Sequence, residues 1–145
     1  MCATVFASDE DDVLKVMDTW FTAFNTGDAD LMTSLYWKSE KTSSFGPGNL
    51  ETLLAQGWDE IAAGWKFTFA AGTFVGTKHH PQVTLLGKNV AVFTDYSSAM
   101  FANPATQEPM FFHVRATYVL QKIDGKWLMV HEHASMLPTA ESLAG

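Results

Sequence analysis

Near the C-terminal end, Val130-His131-Glu132-His133-Ala134-Ser135 places two imidazoles and a hydroxyl at every second position. Alternate side chains of an extended strand leave the same face, so His131, His133 and Ser135 are expected to project together. Three chemistries suit such a row. Paired imidazoles can ligate a metal. Groups with ordinary pKa values of roughly 6.5 can carry protons. A set of hydroxyls and imidazoles can also satisfy one another as a buried polar network. Upstream, His113, Arg115 and Thr117 repeat the same spacing, alternating with Val114, Ala116 and Tyr118.

Asp124-Gly125 between the two stretches is a tight hairpin signal. Pairing about that turn sets residue i opposite about 249 minus i, which brings Arg115 near His133 and Thr117 near His131 or Glu132. His113, Arg115, Thr117, His131, His133 and Ser135 then form one polar cluster. Trp127 and Met129 continue the histidine face toward the turn, so this face is expected to line a concave pocket; a solvated sheet face is the alternative. Arg115 is a poor neighbour for a divalent cation, and a third ligand would have to come from His113 or a distant acid, so no metal and no cofactor are expected. His79 and His80 are adjacent, would point to opposite faces of a strand and precede Pro81, which reads as an edge or surface feature.

In the acid/base reading one of His131 and His133 is the base. A cationic Arg115 beside it lowers the imidazole pKa and clamps a carboxylate or a developing enolate. His113, Thr117, Ser135 and Tyr36 are the further ligand contacts. Trp37, Trp58 and Trp65 are candidate aromatic walls, each with core packing as its alternative.

The elements that must position these groups follow from periodicity. Ser8 with Asp11 forms a capping box ahead of Val13, Val16, Met17, Trp20, Phe21 and Phe24. Their spacing predicts an amphipathic helix of about 17 residues, stopped by Asn25-Thr26-Gly27. Asp28 caps a short second helix with Leu31, Leu35 and Tyr36 on one side. Residues 37–45 read as a turn and a short strand, broken by Gly46-Pro47-Gly48, and helical spacing returns over 50–69. After Gly72, β-branched and aromatic runs predict strands over 73–86, 90–101, 110–122 and 126–136, with a tight turn at Gly87-Lys88-Asn89. Helices followed by an antiparallel meander make an α+β domain whose sheet wraps the first helix.

The chain has 145 residues, 47% of them hydrophobic, so it reads as one domain over 1–145 with a sizeable core. A net charge of −7 argues against a nucleic-acid partner. The lone Cys2 excludes an internal disulfide and a thiolate cage. MCATVFASDEDD carries no basic n-region, and no apolar run is long enough for a membrane helix, so a cytoplasmic location is expected.

Several motifs in order carry a family resemblance: Trp20-Phe21-Thr22-Ala23-Phe24 with Asn25-Thr26-Gly27-Asp28, Leu35-Tyr36, Gly57-Trp58-Asp59-Glu60-Ile61, and the ending Arg115-Ala116-Thr117, Asp124-Gly125-Lys126-Trp127 and Val130 to Ser135. With these the chain resembles the SnoaL-like group of the nuclear transport factor 2-like superfamily, which includes ketosteroid isomerase-like and polyketide cyclase-like domains. It is also similar to the association domain of calcium/calmodulin-dependent kinase II. The resemblance implies a cone of curved antiparallel or mixed sheet around the N-terminal helix, an internal pocket, and a homodimer or larger homo-oligomer. Outward apolar residues Val114, Ala116, Tyr118, Leu128 and Val130 are the surface expected to drive that association.

Within the resemblance, ketosteroid isomerase-type members take their base from an aspartate in the first short strand, where Thr42 to Pro47 holds no carboxylate. Their proton-donating acid falls near His113. Epoxide hydrolase-type members need an Asp-Arg-Asp cluster, for which Arg115 and Asp95 are the available pieces. The expected function is a small-molecule pocket that takes an apolar carbonyl or carboxylate compound and acts as an isomerase, cyclase or dehydratase by metal-free acid/base chemistry. A non-catalytic ligand-binding or association module is the alternative, and the sequence leaves open whether the chain is an enzyme.

Overall fold

The computed structural model describes residues 8–46, 54–106 and 108–138. Helix α1 (Asp9–Thr26) begins at Ser8, whose hydroxyl accepts the Asp11 N–H while the Asp11 carboxylate accepts from the Ser8 N–H. It ends at Gly27, whose φ of 67° is the left-handed geometry that favours glycine. Its apolar face, Val13, Met17, Trp20, Phe21 and Phe24, is buried. The short helix α2 (Ala29–Ser34) is capped by the Asp28 carboxylate, which accepts the Leu31 N–H. Among the described residues no helix is long and apolar enough to cross a membrane.

Two short strands follow, β1 (Ser43–Phe45) and β2 (Leu54–Gln56), then α3 (Trp58–Ala71). The helical spacing expected from residue 50 therefore overreaches. Residues 54–56 pair with β1, and the helix starts after Gly57, where φ is 91°. Residues 50–53 and the expected break at Pro47-Gly48 lie outside the described residues.

Four long strands complete the chain: β3 (Thr73–Leu85), β4 (Val90–Ala102), β5 (Met110–Ile123) and β6 (Lys126–Met136). They form an antiparallel meander, with β1 added in parallel to β6, in one six-stranded mixed sheet of order β2-β1-β6-β5-β4-β3. β2 and β3 are its free edges, so the sheet curls without closing. Its inner side wraps α1. Gly76 of β3 lets the two meet closely, for a Cβ there would lie 2.9 Å from the Phe24 ring. The Asn25 amide pins the contact through hydrogen bonds to both backbone groups of Gly76. His80 is exposed at an irregularity of the edge strand β3, and His79 bonds Ser98.

Two strand faces differ from the sequence expectation. In β5 the residues that point inward are Val114, Ala116, Tyr118 and Leu120, all buried, while His113, Arg115 and Thr117 are exposed on the outer side. Val114, Ala116 and Tyr118 therefore belong to the core and not to an outward apolar patch. In β6 the pairing near the turn keeps the expected register, with Leu120 opposite Met129, but Val119 pairs with His131. Val130 is thus an extra residue, a β-bulge, and beyond it the alternation reverses. Trp127 and Met129 are buried, whereas His131, His133 and Ser135 leave the opposite face and Glu132 takes the inner one.

Candidate functional site

The inner side of the sheet, α1 and α3 enclose a cavity of about 420 Å³. Its wall is mostly aromatic and aliphatic. Trp20, Phe21 and Phe24 come from α1, Trp65 from α3, and Phe74, Phe101 and Phe112 from the sheet. Trp20 stacks on Phe24 at 5.2 Å and meets Trp65 edge-on at 5.7 Å, so the rings fix one another.

Among the described residues one charged side chain enters this wall, Glu132, only 6% exposed. The reversed alternation after Val130 aims it inward, and the parallel pairing of β1 with β6 sets Ser44 beside it. Both carboxylate oxygens are engaged: Oε2 accepts the Tyr36 hydroxyl at 2.7 Å, and Oε1 accepts the Ser44 hydroxyl. The Tyr36 oxygen in turn accepts the indole N–H groups of Trp65 at 3.2 Å and Trp20 at 3.4 Å. Burial pushes the Glu132 pKa up, and the Ser44 and Tyr36 donors hold it partway back. Burial and then the neighbouring Glu132 carry the Tyr36 hydroxyl well above its ordinary value, so it remains a donor. Such a carboxyl can take a proton, hold it and return it.

The groups expected at the site are distributed differently. Trp65 is in the cavity wall, and Tyr36 lies directly behind Glu132. Arg115, His131, His133, His113, Thr117 and Ser135 share the outer side of the sheet and take no part in the wall. There the Arg115 Nε–H donates to Ser135 at 3.1 Å, His131 Nδ1 lies 2.8 Å from the Ser43 hydroxyl, and His113 Nδ1 lies 3.0 Å from the Tyr96 hydroxyl. Partial burial, and then His133 alongside, lower the His131 pKa. Asp95 is buried on the inner face and Arg115 on the outer, so the two do not form a cluster. Trp58 donates its indole N–H to the Thr33 carbonyl at 3.0 Å, outside the wall, and Trp37 is a half-buried neighbour of β6 through its N–H to the Met129 carbonyl.

Glu132, Ser44, Trp20 and Tyr118 are among the wall residues that periodicity alone does not assign to the site. A signal exists for Tyr118: in 110–120 one set of alternating residues is wholly apolar but for this tyrosine, and such a set faces a core.

Residues 13–139 match the SnoaL-like domain family. No curated protein matches the chain. Similar solved structures include a protein named as a calcium/calmodulin-dependent protein kinase II association domain from Xanthomonas campestris (22% identity, TM-score 0.78, covering 96% of this chain and 95% of that one). Another is a protein named as a dehydratase of the nuclear transport factor 2-like family from Streptomyces avermitilis (18%, 0.78, 90% and 97%). A third is a ketosteroid isomerase-like protein from Erwinia carotovora atroseptica (19%, 0.77, 92% and 100%). At these identities the likeness concerns the fold. With the family match spanning most of its length, the chain belongs to the SnoaL-like domain family, on the cone fold of nuclear transport factor 2-like proteins.

Proposed function

We propose that the chain binds a small, neutral, largely apolar carbonyl compound and moves a proton on it, as an isomerase, cyclase or dehydratase does, with Glu132 as the proton carrier. The observation that carries this reading is the buried Glu132 carboxyl in the wall of an otherwise aromatic cavity. No Lys, Arg or His is among the described wall residues, and residues 1–7, 47–53, 107 and 139–145 contain none. An anionic carboxylate would meet Glu132 there without a cation to offset it, so the ligand is neutral. The carbonyl-or-carboxylate expectation narrows to a carbonyl.

Ionised Glu132 accepts a proton from the carbon next to the ligand's carbonyl. The C–H electron pair becomes the new C=C bond, and the carbonyl π pair moves onto oxygen. The protonated Glu132 then returns the proton, to another carbon in an isomerisation or to a departing hydroxyl in a dehydration. Burial raises the basicity of the carboxylate. Tyr36 and Ser44 offset part of the burial effect on its pKa and fix the direction of the carboxylate.

The dehydratase and ketosteroid isomerase-like names of two structural neighbours are compatible with this class of chemistry. The test is exchange of the α-hydrogens of 2-tetralone in D2O, followed by NMR. Enzyme-dependent exchange is expected, with a loss of roughly 100-fold or more in Glu132→Gln, the scale of a general base. Exchange at the wild-type rate in Glu132→Gln would remove Glu132 from the role. Binding without any exchange would leave a ligand-binding module.

A further inference from the structure

Tyr118 is the cross-strand partner of Glu132, on β5 opposite β6. Both side chains leave the inner face, and both belong to the cavity wall. Directly opposed side chains in an antiparallel pair stand about 5 Å apart at Cβ, so whatever touches one end of this pair is within reach of the other. Tyr118 is 3% exposed, and its ring is held between Trp20 at 5.7 Å and Phe93 at 5.8 Å.

The hydroxyls around Glu132 differ in what they have left to give. Tyr36 and Ser44 spend their protons on the carboxylate itself. The Tyr118 hydroxyl has no hydrogen-bond partner among the described residues. A phenol with no acceptor among the described residues, placed in a cavity wall, has its O–H available to a ligand in that cavity.

We infer that the Tyr118 hydroxyl is the donor that holds the ligand's carbonyl oxygen while Glu132 works on the adjacent carbon. This assignment rests on the ligand-site reading above and names a residue that reading does not use. As the C–H pair shifts into the new double bond, negative charge gathers on the oxygen, and a donor already in place stabilises it without reorganisation. Tyr118 keeps its own proton throughout: burial, then the fields of Glu132 and Asp95, hold its pKa well above the ordinary phenol value. The pair also sets specificity. A ligand must present one oxygen that accepts a hydrogen bond, next to a carbon that bears a removable hydrogen.

Two bicyclic probes of near-equal shape separate the roles, 2-tetralone and its hydrocarbon counterpart tetralin, with binding read from the fluorescence of the wall residues Trp20 and Trp65. The wild-type chain is expected to prefer the ketone, and Tyr118→Phe to weaken 2-tetralone by about 3- to 10-fold, the span of one hydrogen bond, while tetralin binds as before. Unchanged tetralin affinity shows that the variant's cavity is intact. Tyr118→Phe should also slow α-hydrogen exchange at saturating 2-tetralone, which a packing role alone would not do. A wild-type chain with no preference for the ketone, or a Tyr118→Phe chain that keeps the preference, overturns the assignment and leaves the Glu132 reading standing. Failure of the wild-type chain to bind either probe overturns the ligand-site reading and this assignment with it.

Discussion

Asp95 and Glu132 are the only acidic residues in the six strands, and both are buried on the inner side. Their surroundings differ. Glu132 has two donors, whereas neither Asp95 oxygen has a well-formed hydrogen bond to a described residue. Burial lifts the Asp95 pKa to about 6; the Ser97 hydroxyl and the Lys78 charge nearby pull the other way. A carboxyl whose folded pKa lies above its unfolded value binds protons more tightly when folded. Its contribution is therefore fully favourable below the unfolded value of 3.8 and is lost as pH rises toward about 6. Asp95→Asn should accordingly raise stability at pH 8 by about 1–3 kcal/mol, with the gain vanishing below about pH 4. Denaturant unfolding at the two pH values checks this; equal effects at both would contradict it. Arg115 supplies a contrasting expectation. Exposed on the outer face and bonded to Ser135, it is remote from the wall, so Arg115→Ala should leave 2-tetralone affinity unchanged within about twofold. A large loss measured by the same fluorescence titration would return Arg115 to the site.

At the scale of elements, a single inserted residue decides which side chains do chemistry. Capping residues, helix periodicity and hairpin turns are local signals, which is why α1, α2 and the four long strands were legible in the sequence. The bulge at Val130 was not. Val130 is an ordinary strand residue, and its displacement is imposed by pairing with β5, where Val119 meets His131 and Leu120 meets Met129. Reading unbroken alternation from Trp127 to Ser135 carried the histidines to the inside and Glu132 to the outside, the reverse of the fold. β1 and β2 were also hard to see in full, since each is 3 residues long and β1 pairs in parallel with a strand about 88 residues away. The α1–β3 contact carries its own prediction. Gly76→Ala places a Cβ within 2.9 Å of the Phe24 ring, and Phe24 is part of the cavity wall. The ring must move, at a cost of about 1–3 kcal/mol in stability. Because the displaced ring sits against the cavity, tetralin binding should weaken as well. Calorimetry and fluorescence titration on one sample test both halves, and a variant of wild-type stability would contradict the close packing.

At the scale of the whole molecule, charge is divided between the two sides. The chain carries a net charge of −7, yet the outward positions of the strands hold no acidic residue, since Asp95 and Glu132 both point in. That outer face displays Arg115, His113, His131 and His133. Beside them runs an apolar row across three strands, Val75 opposite Met100 and Met100 opposite Phe111, with Val75 53% and Phe111 72% exposed. An aromatic ring that open on a sheet face is costly in water, and the same row of a second copy, related by a two-fold axis, would cover it. We therefore expect a homodimer built on this row, in place of the Val114, Ala116 and Tyr118 surface that the sequence first suggested. Light scattering at micromolar concentration should read twice the 16.0 kDa chain mass. Phe111→Glu sets two carboxylates into the paired rows, where desolvation and mutual repulsion oppose contact, and should return the mass to 16.0 kDa while the cavity still binds tetralin. A wild-type chain that stays at 16.0 kDa would show that the row is left open, and a dimer indifferent to Phe111→Glu would move the interface elsewhere on the molecule.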